Sequence, residues 1–453
     1  MSSNRQKQRN RKKLVEAMIS STNIENVFST TYFESSFEST SNPTTDVSLR
    51  VLLSDWAINF EVPLAATTGL LKILKQFHSD LPMDARTLLS TSRISKRFVD
   101  YHFFNVPEQL RDGNPVAINI DGVPLFKSSS ISCWNILAKK FGTSVTYPLG
   151  VFVGIGKPPL SYLEEMVTIL INNNVNVLIF CLDAPARAFV KQLKQCGGYY
   201  SCDYCVQKGL WDKRVVFTEV NATLRTDYKF RRQMYHDHQM GVSPLLMLPK
   251  IDMVNSFPID YMHTCCLGVT KKLLLTWTSG DLKFRLSTLM RLAISNHFIR
   301  YKPFFPNSVF SRKIRSLQEL KHYKANEYRT IMLYAGVVAF KGILNKHLYS
   351  NFVLFSTAMR ILCSSIVKEK PASIKFAAEL LKKFIESVIS IYGRKFVTYI
   401  VHSLCQLPHF VSVNGCADNF SCFDFENYNQ IVKRTVKSGS NPLAQIVNRL
   451  TEQ

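Results

Sequence analysis

The 453-residue sequence has no long apolar segment. It contains no uninterrupted apolar run of about 18 residues, the length that a membrane-spanning helix needs, and no apolar signal region near its start. We therefore expect neither a secreted nor a membrane-associated protein.

Acidic residues are also scarce, with 33 Asp and Glu against 56 Lys and Arg, which gives a net charge of +23. This basic excess favours a polyanionic partner, nucleic acid before membrane.

The eleven cysteines are an odd number in a chain without a signal peptide. They predict reduced thiols in an intracellular protein, some of them as metal ligands.

Residues 1–45 are predicted to be disordered, because a basic run from Arg5 to Lys13 is followed by Ser/Thr-rich sequence. The basic run suits a nuclear-import signal, and hence a nuclear location, or a DNA-backbone arm. A merely solvated tail explains it equally well.

Residues 46–112 are predicted to form a helical N-terminal unit, with Pro63 near a helix start. This unit suits a DNA contact as well as a packing or dimerisation role.

Two stretches, residues 116–125 and 175–185, share one pattern: apolar, β-branched residues run up to an aspartate, Asp121 and Asp183 respectively. A desolvated carboxylate is costly without a cation or donors nearby. Two such carboxylates on adjacent strands repel each other, and a divalent metal ion relieves the repulsion. The alternative is that each Asp caps a following turn or helix.

The order within residues 113–195 is strand, strand, strand, helix, strand, with acids on the first and fourth strands. A right-handed crossover places the last strand parallel to the first. This order predicts an α/β fold with a ribonuclease-H-like core, which needs one more acid on a later helix.

Residues 196–400 are predicted to be a mostly helical insertion that begins with a zinc-binding knuckle, Cys202-x-x-Cys205. A pair of buried thiols or a redox pair is the alternative. His236 and His238 could complete the zinc ligand set locally, but their spacing is short for a zinc finger.

In residues 401–453, Glu426 stands between aromatic residues at the start of a helix. The later residues of this helix are basic, which suits binding to a phosphate backbone.

Taken in order, these segments resemble the DDE/D transposases of the CACTA (EnSpm) type and their animal relatives, and more distantly the catalytic subunit of the V(D)J recombinase. The resemblance covers roughly residues 49–445. It depends on the following motifs: Asp121-Gly-Val-Pro-Leu, Cys181-Leu-Asp183-Ala-Pro-Ala-Arg, Gly198-Tyr-Tyr-Ser-Cys202-Asp-Tyr-Cys205, Asp260-Tyr-Met-His263 and Phe425-Glu426-Asn-Tyr.

The resemblance implies that Asp121, Asp183 and Glu426 form a catalytic set of carboxylates. It implies two Mg²⁺ or Mn²⁺ ions, about 3.5 to 4 Å apart, that grip the scissile phosphate. His263 and Arg329 fall loosely where related enzymes have active-site support residues.

The resemblance also implies one structural Zn²⁺, bound by Cys202 and Cys205 together with His402 and His409. The implied function is DNA cleavage and strand transfer by a homodimer on double-stranded transposon ends. The alternative is a catalytically silent DNA- or chromatin-binding protein on a transposase scaffold, because no separate DNA-recognition module is visible in the sequence.

Overall fold

The computed structural model describes residues 48–60, 62–89, 100–307 and 310–452. The tail predicted to be disordered, residues 1–45, lies outside these ranges. The chain divides into two compact units, residues 1–60 and 61–453. In the first unit the described residues form one helix, α1 (Leu49–Asn59).

The second unit contains a five-stranded sheet, a short two-stranded ribbon and a series of helices. The strands are β1 (Tyr101–Phe103), β2 (Val116–Pro124), β3 (Ile131–Lys140), β4 (Tyr147–Ile155), β5 (Val177–Phe180), β6 (Leu210–Trp211) and β7 (Val215–Val216). The α-helices are α2 (Leu64–Leu74), α3 (Ala85–Leu88), α4 (Leu160–Asn172), α5 (Ala184–Val190), α6 (Asp227–Arg231), α7 (Lys271–Ser279), α8 (Thr288–Tyr301), α9 (Ala325–Thr330), α10 (Gly336–Phe340), α11 (Lys346–Leu362), α12 (Pro371–Tyr392), α13 (Tyr399–Ser403), α14 (Leu407–Asn414), α15 (Phe423–Thr435) and α16 (Pro442–Thr451).

The five strands lie in the order β1-β4-β3-β2-β5. β2 pairs antiparallel with β3 and parallel with β5. The mixed α/β fold and the parallel placement of the fourth predicted strand beside the first are therefore as the sequence predicts. The edge strand β1 was not predicted, because three residues are too few to show a periodicity.

Helix α4 makes the crossover between β4 and β5. It follows Pro159, and one face is buried against the sheet. The buried residues recur at helical spacing, which is why the sequence identifies this helix: Tyr162, Leu163, Met166, Val167 and Leu170. Among the described residues, no helix is long and apolar enough to cross a bilayer.

The predicted helical region is largely helical. Its stretch from Tyr328 to Leu344 contains the end of α9, a π-helical turn (Ile331–Ala335) and α10. Gly336 follows the π turn, and a Cβ there would lie 2.5 Å from the Phe352 ring. Close packing against α11 therefore requires glycine where the helix changes its geometry.

Candidate active site and metal centre

Asp121 lies on β2, opposite Asn135 of β3. The next residue is Gly122, where a Cβ would lie 2.6 Å from the Trp134 side chain. Glycine therefore lets the Trp134 ring cross the strand directly beside the carboxylate. The indole is held in turn by a hydrogen bond from its Nε1 to the Gly156 carbonyl oxygen, 2.9 Å away.

Asp183 follows β5 and is the N-cap of α5. Its Oδ1 accepts a hydrogen bond of 2.7 Å from the Ala186 amide. The prediction that this aspartate caps the following helix is thus confirmed. A cap uses one carboxylate oxygen, and Asp183 still lies beside Asp121, because β5 pairs with β2 in parallel.

The carboxylates of Asp121, Asp183 and Glu426 come from three separate segments and lie close enough to affect one another electrostatically. Burial raises the pKa of Asp121 to about 7, and the charges of Glu426 and Asp183 contribute further to the increase. A carboxyl group with a pKa near 7 carries an unfavourable charge at neutral pH that a cation would stabilise. The structure therefore brings together the three acids that the resemblance selects.

Helix α15 presents two functional side chains one turn apart, Glu426 and Asn429. The Asn429 amide nitrogen donates to Asp121 Oδ2 at 3.2 Å. Its amide oxygen accepts a 2.8 Å hydrogen bond from Asn135. This chain of amides fixes the Asp121 carboxylate between strand β3 and helix α15, and Asn429 is not among the residues predicted from the sequence.

His263 lies on a π-helical segment (Met262–Thr270) and faces the acids. Its Nε2 is 3.7 Å from Glu426 Oε1, and its Nδ1 is 2.7 Å from Asp260 Oδ2. Burial opposes protonation, but the hydrogen bond and charge of Asp260, followed by the charges of Asp183 and Glu426, raise the pKa of His263 to about 9. The imidazole is therefore a cation beside the carboxylates at neutral pH.

Asp260 holds this arrangement together. Its carboxylate also accepts hydrogen bonds from the His263 and Cys422 amides, at 2.8 and 2.9 Å. It therefore links the segment of His263 to the start of α15, where Glu426 lies. The spacing Asp-x-x-His, one helical turn, is the sequence signal that indicates the pair.

Residues 256–260 reach the site by extending along the sheet edge. The Phe180 amide donates to the Ser256 carbonyl oxygen at 2.8 Å, and Leu182 forms a parallel bridge with Ile259. The backbone before Asp260 thus runs beside the end of β5, next to Asp183.

Among the described residues, the side chain of Arg329 contacts Tyr261 and Asp418 and forms no hydrogen bond with the three candidate metal-binding carboxylates. Its guanidinium donates to the Tyr261 hydroxyl at 2.7 Å and to Asp418 at 2.9 Å. The Tyr261 hydroxyl also donates to Asp418. Through these contacts Arg329 connects the Asp260 segment to the chain that precedes α15.

The structure also brings Cys202, Cys205 and His402 together. The Cys205 sulfur is 3.4 Å from that of Cys202 and 3.2 Å from His402 Nε2. All three residues are buried. Hydrogen bonds from Cys205 and His402 lower the pKa of the Cys202 thiol, so one sulfur of the cluster is prepared to bind a cation as thiolate.

Three other histidines considered from the sequence do not join this cluster. The exposed His409 has its Nε2 3.0 Å from the Asn255 side-chain oxygen. His238 contacts the Tyr200 carbonyl oxygen and Asp203, and His236 is exposed. Among the described residues, only His402 shares a cluster with the two cysteines.

The donor sets fit different metals. Two sulfurs and one imidazole within 4.8 Å of one another suit zinc, whereas carboxylate oxygens suit Mg²⁺ or Mn²⁺. Among the described residues, Asp121, Asp183 and Glu426 do not form one group whose ligand atoms all lie within 4.8 Å of one another.

No family model matches the chain, and no curated protein matches it. Among solved structures, the chain is similar to one described as the Drosophila P element transposase strand transfer complex. The similarity covers 97% of each chain, at 10% sequence identity and a TM-score of 0.46.

Proposed function

We propose that the protein is a divalent-metal-dependent enzyme that cleaves DNA strands and transfers them, with Asp121, Asp183 and Glu426 as its metal-binding carboxylates. The observation that carries the proposal is the placement of Asp121: its strand pairs in parallel with the strand that leads to Asp183, and its carboxylate accepts a hydrogen bond from Asn429 on the helix that carries Glu426. Glu426 is distant in sequence, and a divalent cation would relieve the repulsion among the three acids further than His263 does alone.

Each residue has a distinct part in this proposal. Asp121 presents a carboxylate whose direction is fixed by Asn429. Asp183 uses one oxygen as the cap of α5 and keeps the other available. Glu426 enters from α15, with its carboxylate near the cationic His263. The imidazolium is placed to attract a DNA phosphate toward the acids, and Asp260 keeps it protonated.

The proposed Mg²⁺ or Mn²⁺ ions would neutralise the phosphate and lower the pKa of an attacking water or 3′-hydroxyl. Because Asp121 must lose its proton before it binds a metal ion, metal binding and proton release are coupled.

We propose in addition that Cys202, Cys205 and His402 bind one structural zinc. This site would join the knuckle at the start of the helical region to α13, which precedes the helix that carries Glu426. The proposed setting is double-stranded DNA in the nucleus, with two copies of the chain acting on two DNA ends.

The test is nicking of supercoiled plasmid by the full chain with Mg²⁺ or Mn²⁺, compared with Asp183→Asn. Asparagine can still cap α5 but cannot supply the charge that holds the metal. Metal-dependent nicking that disappears in the variant supports the proposal. The matched control is Asp112→Asn, an exposed acid that is paired with Lys140, and we expect it to nick like the wild type.

The alternative is a catalytically silent DNA-binding protein. It predicts no nicking by either protein, together with plasmid binding that weakens as salt increases. Plasmid retardation in a gel, run on the same samples, separates the two functions.

A further inference from the structure

The β6–β7 ribbon exposes a tryptophan. Its pairs are Leu210 with Val216 and Trp211 with Val215. Trp211 is 68% exposed and Leu210 is 47% exposed, whereas Trp134 and Trp277 are buried. A largely exposed indole contributes little to the stability of the fold, and we therefore expect it to contact a binding partner.

Three basic residues lie close to Trp211 in the chain. Lys208, Lys213 and Arg214 are exposed on and beside the ribbon, and Asp212 is the one acid between residues 208 and 216. None of the three cations takes part in an ion pair among the described residues. The ribbon therefore presents an exposed aromatic ring in a segment of net positive charge.

The ribbon is anchored by contacts before β6 and after β7, and one of them is to His402 of the cysteine–histidine cluster. Before β6, the Gly209 amide bonds to the Tyr199 carbonyl oxygen, and a Cβ on Gly209 would lie 2.3 Å from Val215. After β7, the Phe217 amide donates to the Val397 carbonyl oxygen at 2.9 Å, and its ring lies 5.4 Å from that of His402. Little conformational freedom remains to be lost when a ligand binds the tip.

We propose that this ribbon is a DNA contact that recognises unpaired or distorted DNA, with Trp211 stacked on a base and Lys208, Lys213 and Arg214 bound to phosphates. The proposal rests on the proposed function, because it takes DNA as the partner. Two exposed apolar side chains are too small a patch for a stable protein interface. Aromatic stacking inside a basic rim is how single-stranded nucleic acid is bound, and apolar wedges act similarly at kinked base steps.

The first experiment compares Trp211→Ala and Trp211→Phe with the wild type, by fluorescence anisotropy on a forked duplex and on a fully paired duplex of the same length. We expect Trp211→Ala to weaken binding to the fork by roughly fivefold to a hundredfold, the range that loss of one stacked base corresponds to. Trp211→Phe should retain most of the affinity, and the paired duplex should be affected less. The control is Leu282→Ala, which removes an exposed apolar side chain elsewhere.

Fork binding by Trp211→Ala within twofold of the wild type would overturn the proposal, as would an equal loss in Leu282→Ala. Because Trp211 is exposed, the variants should fold, and an unchanged melting temperature verifies this. Quenching of tryptophan fluorescence by the fork, lost in Trp211→Phe, gives a direct readout of stacking.

A second variant tests the cations. Lys213→Ala/Arg214→Ala should reduce the slope of log K against log salt by up to about 2, because each lost phosphate contact removes close to one released counterion. An unchanged slope contradicts phosphate contact by these residues.

These results are separable from those on catalysis. If Asp183→Asn stops nicking while Trp211→Ala binds the fork normally, the catalytic proposal stands and the ribbon proposal fails. If no protein nicks DNA but Trp211→Ala loses fork binding, the ribbon proposal stands alone. If the wild type does not bind the fork, the ribbon proposal fails outright.

Discussion

The side chain of Asn429 donates a hydrogen bond of 3.2 Å to the carboxylate of Asp121, across 308 positions of the chain. Asn429 is buried, and its other amide atom is bonded to Asn135. The Asp121 carboxylate is therefore oriented by an amide that is itself held in place.

We expect Asn429→Ala to lower metal-dependent nicking by about 10-fold to 100-fold, because a hydrogen bond to a charged group contributes roughly 1.5 to 3 kcal/mol. The variant also removes a donor that stabilises the charged form of Asp121, so the pKa of Asp121 should increase. The acid limb of the pH–rate profile should then move to higher pH. Nicking rates from pH 5.5 to 9 measure both effects.

The control for this prediction is Gln430→Ala, an exposed amide on the same helix. A purely structural role for Asn429 would lower the melting temperature and leave the pH profile in place. Such a result would contradict the orienting role.

The convergence of Asp121 and Asp183 was predictable because it depends on local patterns. Apolar β-branched runs identify β2 and β5, and the crossover rule makes them parallel neighbours. The acids at corresponding positions then meet at one end of the sheet. Cys202 and Cys205 were likewise predictable as a pair from their spacing.

Contacts that depend on tertiary packing were not predictable in this way. Asn429 is a polar residue on a basic helix and looks solvated in the sequence, although it is buried at the site. Asp260 reaches His263 and the start of α15 because residues 256–260 extend along the end of β5, and no periodic pattern marks that segment. His409 appears equivalent to His402 in the sequence, yet it lies on the exposed side of α14 and contacts Asn255.

Removing the charge of Asp121 should stabilise the metal-free protein at neutral and higher pH. The folded state raises the pKa of this acid from 3.8 to about 7. The folded protein therefore binds the proton more tightly than the unfolded chain does, and stability falls as the pH rises from about 4 through 7. We expect Asp121→Asn to raise the free energy of unfolding at pH 8 by at least about 1 kcal/mol.

Urea denaturation in EDTA, at pH 5 and pH 8, measures this effect. The gain should be smaller at pH 5, where most of the Asp121 population keeps its proton. Glu164→Gln, an exposed acid on α4, should change stability little at either pH. A variant that is less stable than the wild type at pH 8 would contradict an unfavourable Asp121 charge.

The Asp260–His263 pair should give a second pH dependence at higher pH. The pKa of His263 is raised from 6.5 to about 9. Its contribution to stability is therefore fully present below about pH 6.5 and is lost as the pH rises through 9. Asp260→Asn removes the main partner charge, so the pKa of His263 should fall and this loss of stability above pH 7 should disappear.

Titration of the His263 ring by NMR in EDTA measures the pKa directly. The exposed His236 provides an internal reference signal in both proteins. If the pKa of His263 were unchanged in the variant, Asp260 would not be the group that keeps the imidazole charged.

The cysteine–histidine cluster leads to a prediction about the ligands of the proposed zinc. Cys205→Ser and His402→Ala should each lose most of the bound zinc, because both atoms belong to the buried cluster. His409→Ala should retain it, because His409 contacts Asn255 instead.

A fourth ligand is expected from Cys405, which lies three residues after His402, one helical turn away. Burial, followed by the charge of Cys202, raises the pKa of the Cys405 thiol to about 12, and the second of these causes indicates that Cys405 lies near Cys202. We expect Cys405 to complete the set and Cys405→Ser to weaken zinc binding.

Zinc content by elemental analysis and the absorbance of the Co²⁺-substituted protein distinguish these outcomes. Thiolate-to-cobalt absorbance should decrease in Cys405→Ser and remain in His409→Ala. Chelation of the metal should lower the melting temperature of the wild type, since a structural zinc contributes directly to folding free energy. Zinc lost in His409→Ala and kept in Cys405→Ser would instead require α14 to turn toward the cluster, and would restore the ligand set that the resemblance implies.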